Sequence, residues 1–406
     1  MTRIGAARTV MFAAIVTVVA TMGLAAAMVG TAVSISARVL PPAPSDCTVT
    51  EPAPRANDAP DVTDAPAARA GPGAPAPTHG YGTGPPAGRI AMLDGFAHIS
   101  PRVRAQNLAA TVAINTTATP AVSRAAVADD YALGQPAIAT ALGSRLAPAF
   151  YAALGAGELP RTTALLFGDT SMVSVRTDTS AAKRYFANRR PFEVAPQSIR
   201  RYPDARKDLY DAVRGSGSFP SGHATWGYTQ AFLIAAMLPE IGPQVLARGA
   251  EYGYHRIVLG VHYPLDVIGG RIYAQAVAAD MLGDPRVATL LAQATTELRG
   301  ALTARVGAPI ARVARCQQPY LPTPAALASY RQRSTYDLSP TGDATRPLTI
   351  PQGAVALIRA AHPGRSDAEL RDLLERTALP AGYPLDTAGA DGGWQRLDIA
   401  RAWVSE

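Results

Sequence analysis

The amino-acid sequence predicts an all-α protein, a helical bundle followed by a small helical C-terminal tail. Apolar residues recur at helical spacing through most of the chain after Asn107, and short breakers rich in Gly and Pro separate the helical segments. No stretch of alternating apolar and polar residues of the kind that forms strands interrupts them. With 406 residues and 48% hydrophobic composition, the chain can bury a sizeable core.

The first 37 residues have the features of an export signal. Arg3 and Arg8 form a positively charged start, and no charged residue occurs from residue 9 to residue 37. Small residues provide an A-x-A cleavage pattern near residue 27. The apolar run is also long enough to cross a bilayer, so an uncleaved anchor over residues 9–37 is the alternative. Both interpretations predict an exported protein that is secreted, periplasmic or held at the cell envelope.

The rest of the chain divides into four predicted segments. Residues 38–95 hold 12 of the 35 prolines and too few apolar residues to fold, which is typical of a linker. Residues 96–300 form the predicted helical domain, and residues 301–345 a Pro-containing connector. Residues 346–406 form a small helical extension that packs on the main domain. Its sequence SDAELRDLLER has a helix-capping signature.

Charge and cysteine usage narrow the function classes. The net charge of +7 is modest for this length and shows no basic cluster, so binding to nucleic acid is not expected. Only two of the 38 basic residues are lysines, Lys183 and Lys207. Because lysine and arginine differ in geometry, a lysine in so arginine-rich a chain indicates a position where arginine would not serve. Cys47 and Cys316 are not in a metal-type spacing; in an exported protein they could form a disulfide, and two unpaired thiols are the alternative.

The first chemical motif is KRYFANRRPF. Lys183 and Arg190 are seven residues apart, which is two helical turns, so the spacing predicts that both face the same way. Pro191 is expected to end the helix near Arg190. Two cations without nearby carboxylates would attract an anion; a solvated basic face is the alternative.

The second motif is GSGSFPSGHAT, directly before an apolar helical run. Its small residues leave backbone N–H groups exposed at a helix N-terminus, where the helix dipole favours an anion. Ser221 adds a hydroxyl donor beside the Gly222 backbone. His223, in the first turn, can give a proton to a group that leaves the anion.

The third motif is HRIVLGVHYPLD, in which Arg256 precedes His262 by six residues and Asp266 follows it by four. With Pro264 in the first turn of a new helix, His262 and Asp266 share a face. The carboxylate can then accept the Nδ1 proton and leave Nε2 available as a nucleophile or base. The alternative is an ordinary i,i+4 pair.

Three further histidines show no such pattern. His79 lies in the linker, and His98 and His362 are expected in solvated or capping positions near segment ends. The site is therefore expected at the three motifs.

The motif order K-x6-R-P, P-S-G-H, R-x5-H-x3-D resembles the superfamily of type 2 phosphatidic acid phosphatases and vanadium haloperoxidases. The residues in and around the three motifs are most similar to those of the secreted class A bacterial non-specific acid phosphatases. The resemblance covers roughly residues 100–290 and implies a helical-bundle fold. One position departs from the pattern, because His255 stands where the family usually has Ser before the third-motif Arg.

This resemblance implies a metal-independent, exported acid phosphatase that hydrolyses phosphomonoesters through a phosphohistidine. It implies that His262 attacks phosphorus, that Asp266 orients it, and that His223 protonates the leaving group and then activates water. The implied phosphate-binding residues are Lys183, Arg190, Ser221, Gly222 and Arg256. No metal or cofactor is expected, and vanadate is expected to inhibit competitively.

Two other enzymatic functions stay open at this point. A vanadium-dependent haloperoxidase would hold vanadate as cofactor in the same cradle, although the separation of 33 positions from His223 to Arg256 resembles that of the compact phosphatases. A phosphatase acting on a lipid phosphate headgroup is the other alternative. A form embedded in the membrane is disfavoured, because no segment after Ala37 has eighteen uncharged apolar residues. An exported binding protein with an inactive site ranks last, since every motif side chain is present.

Overall fold

The computed structural model describes Cys47 and residues 86–204, 208–389 and 391–406. The chain divides into two units at the boundary between Thr48 and Val49. The predicted signal or anchor over residues 1–37 lies outside the described residues, as does most of the predicted linker 38–95. The architecture below is that of the second unit.

The secondary structure of the described residues is helical and contains no strand, which confirms the predicted all-α fold class. The helices of the first half are α1 (Pro86–Ala91), α2 (Pro101–Thr117), α3 (Pro120–Tyr131), α4 (Leu146–Gly155), α5 (Pro160–Leu166), α6 (Met172–Arg176), α7 (Ser180–Phe186) and α8 (Pro191–Val194). Those of the second half are α9 (Gly222–Met237), α10 (Gly242–Val258), α11 (Pro264–Gly283), α12 (Pro285–Val306), α13 (Ile310–Cys316), α14 (Thr323–Arg333), α15 (Asp367–Thr377) and α16 (Ile399–Val404).

The centre of the bundle is formed by α9, α10 and α11. Nearly every residue of these three helices is buried, and α9 packs against both of the others. A helix that is apolar on all faces must be surrounded by protein, which explains the central place of α9. The outer helix α12 instead buries one stripe of apolar residues against α4 and α5.

The close approach of α9 and α11 brings the second and third motifs together. Gly270 of α11 faces the turn at which α9 begins, and a Cβ there would lie 2.8 Å from the Ser221 carbonyl oxygen. Glycine is therefore needed for this approach, because a larger residue would separate the two helix starts.

The first motif folds differently from the sequence expectation. Helix α7 ends at Phe186, and Ala187 takes a left-handed conformation with φ of 45°. Arg190 is extended and caps the short helix α8, in agreement with the bias of a residue before proline away from helical angles. The prediction of one helix through Lys183 and Arg190 is thus wrong, and the two side chains do not share a helix face.

The segment predicted as a connector, residues 301–345, is largely helical. Its boundary at 300 falls inside α12, and α13 and α14 follow, with α14 packed on α10. The prolines at 309 and 322 directly precede helices, where a missing N–H costs nothing. Helix α13 ends at Cys316, which forms the expected disulfide with Cys47.

The C-terminal extension, residues 346–406, is anchored on the helix that carries Asp266. It contains α15, which begins with the predicted capping box of Ser366 and Glu369, and α16, with short 3-10 turns elsewhere. Fully buried Arg271 of α11 donates hydrogen bonds to the carbonyl oxygens of Gln395 at 2.9 Å and Leu397 at 3.2 Å. Within the described ranges, none of the helices is long and apolar enough to cross a membrane.

Candidate active site

The three motifs meet where α9 and α11 begin. Ser221 is buried and caps α9, its hydroxyl oxygen accepting the Ala224 N–H at 3.2 Å. The Ser221 N–H donates to the backbone carbonyl of Asp266 at 2.9 Å. Gly222 and His223 follow as the half-buried first residues of α9. The first N–H groups of a helix have no partner inside the helix, so this turn can bind an anion.

His262 and Asp266 form the hydrogen bond that their spacing predicts. His262 Nδ1 lies 3.2 Å from Asp266 Oδ2, which also accepts the Tyr263 N–H at 2.9 Å, and both partners are buried. An ionised carboxylate can only accept hydrogen bonds, so Nδ1 carries the hydrogen. His262 Nε2 is left with its lone pair available.

Arg190 lies against this lone pair. Its Nη1 is 3.1 Å from His262 Nε2, and the same nitrogen donates to the Val261 carbonyl at 2.9 Å. Its other N–H groups donate to the Val213 and Gly217 carbonyls and to the Ser216 hydroxyl. The guanidinium is therefore fixed beside the nitrogen that the sequence assigned as nucleophile.

His223 presents its two ring nitrogens to different surroundings. Nε2 lies 3.1 Å from the backbone carbonyl oxygen of Asp130. Because a carbonyl oxygen only accepts, Nε2 carries a hydrogen in both protonation states of the ring. The proton that His223 can exchange is consequently the one on Nδ1.

Asp130 is a site residue that the sequence analysis missed. Its carboxylate forms an ion pair with buried Arg256 and lies 3.9 Å from His223 Nε2. A signal for it existed in the sequence, since Asp129 and Asp130 fall in the last turn of α3, where the helix dipole disfavours negative charge. Adjacent carboxylates at such a position indicate cationic partners elsewhere in the fold.

The electrostatics of the site disfavour additional positive charge. Burial, and then the charges of Arg190 and Lys183, lower the pKa of His262 well below its ordinary value. Burial and the charge of Arg256 do the same to the pKa of His223. Burial and the charge of Arg190 lower the pKa of Lys183 to about 7. An anionic ligand would relieve this crowding of cations.

Asp266 is the buried carboxyl group of this cationic site. Burial raises the pKa of its carboxyl to about 7, although hydrogen bonds from the Tyr263 N–H and the Ser218 hydroxyl act in the opposite direction. The site therefore combines a cationic cradle, a buried histidine whose lone pair faces Arg190 and a second histidine that can transfer a proton. These are the components needed to bind a tetrahedral anion and transfer its central group.

The histidines outside the site have separate environments. His98 is exposed and pairs with Asp94 at 3.4 Å. His362 is buried and is the C-cap residue of the short 3-10 helix Arg359–Ala361, and its Nε2 lies 2.8 Å from the carbonyl oxygen of Ala402 in the last turn of α16. The expectation of a capping position is therefore confirmed for His362, and the expectation of a solvated one is not. In the described parts of the chain, no group of three or more His, Cys, Asp or Glu side chains is placed to hold a metal ion.

Comparison with known proteins places the same segment in a family. Residues 163–284 match the model of the PAP2 superfamily. The chain is 32% identical over 120 residues to a non-specific acid phosphatase of Salmonella typhimurium, and 34% identical over 126 residues to an acid phosphatase of Zymomonas mobilis. These matches cover 30% and 31% of this chain and 46% of each relative.

A third relative gives the same result. A non-specific acid phosphatase of Providencia stuartii is 30% identical over 130 residues, which are 32% of this chain and 50% of the relative. The chain thus matches about half the length of these curated relatives. The resemblance of the three motifs to the PAP2 superfamily, and within it to bacterial acid phosphatases, is confirmed for residues 163–284.

Proposed function

We propose that the protein is an acid phosphatase that hydrolyses small phosphomonoesters through a phosphohistidine on His262. The observation that carries the proposal is the hydrogen-bond pattern of the two site histidines. Asp266 holds the hydrogen of His262 on Nδ1, so Nε2 presents a lone pair, and His223 exchanges its proton through Nδ1. One ring can attack while the other donates a proton.

In the first step, His262 Nε2 forms a bond to phosphorus while the ester P–O bond breaks. The leaving oxygen takes the proton from His223 Nδ1 and departs as an alcohol. The charge gained by the His262 ring is balanced by Asp266. In the second step, a water molecule gives a proton to His223 Nδ1 and its oxygen bonds to phosphorus. The N–P bond then breaks, and inorganic phosphate and the resting enzyme are restored.

The cations stabilise the charge on the transferring group. Arg190 donates to His262 Nε2 in the resting site, so a bound phosphoryl group must take over this hydrogen bond before Nε2 can attack. Lys183 and Arg256 supply the other two positive charges, and Ser221 and the Gly222 N–H complete the set of donors. Three fixed cations provide the stabilisation that a metal supplies in other phosphatases, so we propose catalysis without metal or cofactor.

The same cradle should accept vanadate, which is a tetrahedral oxyanion that can expand to the trigonal-bipyramidal shape of the transition state. We expect it to compete with substrate. We also propose that the protein is exported, because a disulfide such as Cys47–Cys316 persists in oxidising compartments. The N-terminal segment would then serve as signal or anchor.

Steady-state kinetics on the purified chain test the proposal. We expect turnover of p-nitrophenyl phosphate and of glycerol phosphate, competitive inhibition by vanadate and no loss of activity in EDTA. Bromide and hydrogen peroxide, with vanadate present, should give no halogenation. An EDTA effect that a divalent metal reverses, or vanadate-dependent halogenation without phosphatase activity, would contradict the proposal.

A further inference from the structure

A buried cluster joins Asp129 of α3, which lies outside the matched segment, to α10, which lies inside it. Asp129, next to Asp130 in the last turn of α3, is 5% exposed. Arg248 of α10 donates to its Oδ1 at 2.5 Å and to its Oδ2 at 2.9 Å. His255 Nδ1 lies 2.6 Å from the same Oδ2. Arg248 and His255 are two turns apart on α10, so both reach Asp129 from one face of that helix.

Asp129 stays ionised in this cluster because of its two partners. Burial raises the pKa of Asp129, but the charge of Arg248 and the hydrogen bond from His255 more than offset it and bring the pKa to about 2. Asp129 is therefore an anion at all working pH values and accepts hydrogen bonds from both partners. His255, the residue that replaces the usual Ser, donates away from the phosphate cradle and toward α3.

The residue after Asp129 touches both a cation and a histidine of the site. Asp130 pairs with Arg256 through its carboxylate and accepts from His223 Nε2 through its backbone carbonyl at 3.1 Å. The carbonyl is available because the last carbonyls of a helix have no partner inside it. The position of this carbonyl decides which nitrogen of His223 faces the leaving group.

We propose that Asp129, held by Arg248 and His255, is a positioning residue for the proton donor His223. Two carboxylates at a helix C-terminus oppose the dipole, and the last turn would fray without cationic partners. The ion pair and hydrogen bond on Asp129 hold this turn against α10 and so hold the Asp130 carbonyl on His223 Nε2. This inference rests on the proposed phosphatase function and assigns to it a residue, Asp129, that lies outside the family match.

Dependence on the leaving group tests the proposal. The p-nitrophenolate group departs without a proton, whereas the alkoxide of glycerol phosphate needs one. In His255→Leu and Asp129→Asn, we expect kcat/KM for glycerol phosphate to fall roughly tenfold or more and kcat/KM for p-nitrophenyl phosphate to fall less than about threefold. This ratio reports the steps up to release of the leaving group, and in those steps only glycerol phosphate needs the proton of His223. His255→Gln, whose amide can still donate to Asp129, should recover part of the difference.

His362→Leu is the matched control, since it removes another buried histidine that makes one hydrogen bond to a distant part of the chain. It should lower both rates equally or not at all. Either folded variant of the Asp129 cluster suffices for the comparison, with circular dichroism as the check of folding. Equal losses on the two substrates, or losses that follow thermal stability as in His362→Leu, would overturn the positioning role.

A second readout does not depend on activity. Nitrogen NMR of labelled His223 reports its tautomer, which should be Nε2–H in the wild type and mixed in Asp129→Asn. An unchanged tautomer in a folded variant would overturn the inference. A wild type that hydrolyses neither substrate would contradict the proposed function instead, and the NMR result would still decide the inference.

Discussion

Two buried histidine–aspartate pairs lie around the junction of α10 and α11, and they differ in what else binds the carboxylate. His255 meets Asp129 at 2.6 Å, and Arg248 binds both oxygens of that carboxylate. His262 meets Asp266 at 3.2 Å, and in the described part of the chain no guanidinium donates to Asp266. Arg248 neutralises the first carboxylate and holds it in place, whereas among the described residues the second carboxyl has only the histidine as a hydrogen-bond partner that can carry a charge.

The pKa values of the two carboxyls express the same difference. Burial acts on both, but Arg248 and His255 bring the pKa of Asp129 down to about 2, whereas the pKa of Asp266 stays raised at about 7. The partner ring of Asp266 also places its second nitrogen beside Arg190. A buried His–Asp pair is therefore suited to positioning when a third group neutralises it, and to catalysis when the ring faces an anion site.

The largest expected effect is on kcat, and it distinguishes His262 from another buried histidine, His362. His262→Ala should lower kcat by roughly 10⁴-fold or more, because the variant lacks the Nε2 that forms the bond to phosphorus in the proposed mechanism. His362→Ala, the control in the C-terminal extension, should keep kcat near the wild-type value. Steady-state rates with p-nitrophenyl phosphate decide this, and a His262→Ala variant with substantial turnover would remove the nucleophile assignment.

The next effect concerns the carboxylate of the reactive pair. Asp266→Asn should lower kcat by roughly a hundredfold or more, since the imidazole loses the partner that fixes its tautomer and balances its charge. The matched control is Asp280→Asn on the same helix, where the carboxylate lies at the surface and pairs with Arg89. Similar rates for the two variants would place Asp266 outside the mechanism.

A smaller effect tests the cationic cradle through pH. Because burial and Arg190 lower the pKa of Lys183 to about 7, its charge is present below this pH and lost as the pH rises through it. One unit above the pKa, inhibition by inorganic phosphate should be about tenfold weaker than on the acidic side. Lys183→Arg should reduce this loss, because a guanidinium keeps its charge. Identical pH profiles for both proteins would contradict the assignment.

The smallest expected effect is on stability and has opposite signs for the two carboxyls. The pKa of Asp129 is lowered on folding, so its contribution is present above the unfolded value near 4 and lost as the pH falls through about 2. The pKa of Asp266 is raised, so its contribution is present below the unfolded value and lost as the pH rises through about 7.

Asp129→Asn should accordingly lower the free energy of unfolding at neutral pH, on the order of 1 kcal/mol or more. Asp266→Asn should raise the free energy of unfolding at neutral pH, because it removes a buried carboxyl whose ionisation is unfavourable, as is common at catalytic positions. Chemical denaturation at pH 4 and pH 7.5 gives both differences. Shifts of the same sign in the two variants would remove the proposed contrast between the pairs.

Local spacing explains what the sequence analysis could predict. His262 and Asp266 are four residues apart at the start of one helix, and the helix start in the second motif follows from its residues, so both could be inferred without a fold. His255 and Asp129 are 126 residues apart, and only the packing of α3 on α10 joins them. The helical periodicity of the sequence does not reveal a contact between residues so far apart in the chain.

The two wrong predictions, of a helix through Arg190 and of a connector, also have identifiable physical causes. The helix predicted through Arg190 fails at Ala187, whose left-handed conformation is not expected for alanine. The predicted connector failed because its prolines mark helix starts, and proline alone does not distinguish a break from a start. The all-α class was robust because it depends on many residues at once.

The central claim is that His262, and not the neighbouring His255, carries the phosphoryl group. The most direct test mixes enzyme and p-nitrophenyl phosphate rapidly, quenches in alkali, where phosphohistidine survives, and maps the modified residue by mass spectrometry. We predict phosphate on His262 in the wild type and in His223→Ala, where the slower hydrolysis should increase the amount trapped. Phosphate on another residue, or none despite rapid turnover, would contradict the account.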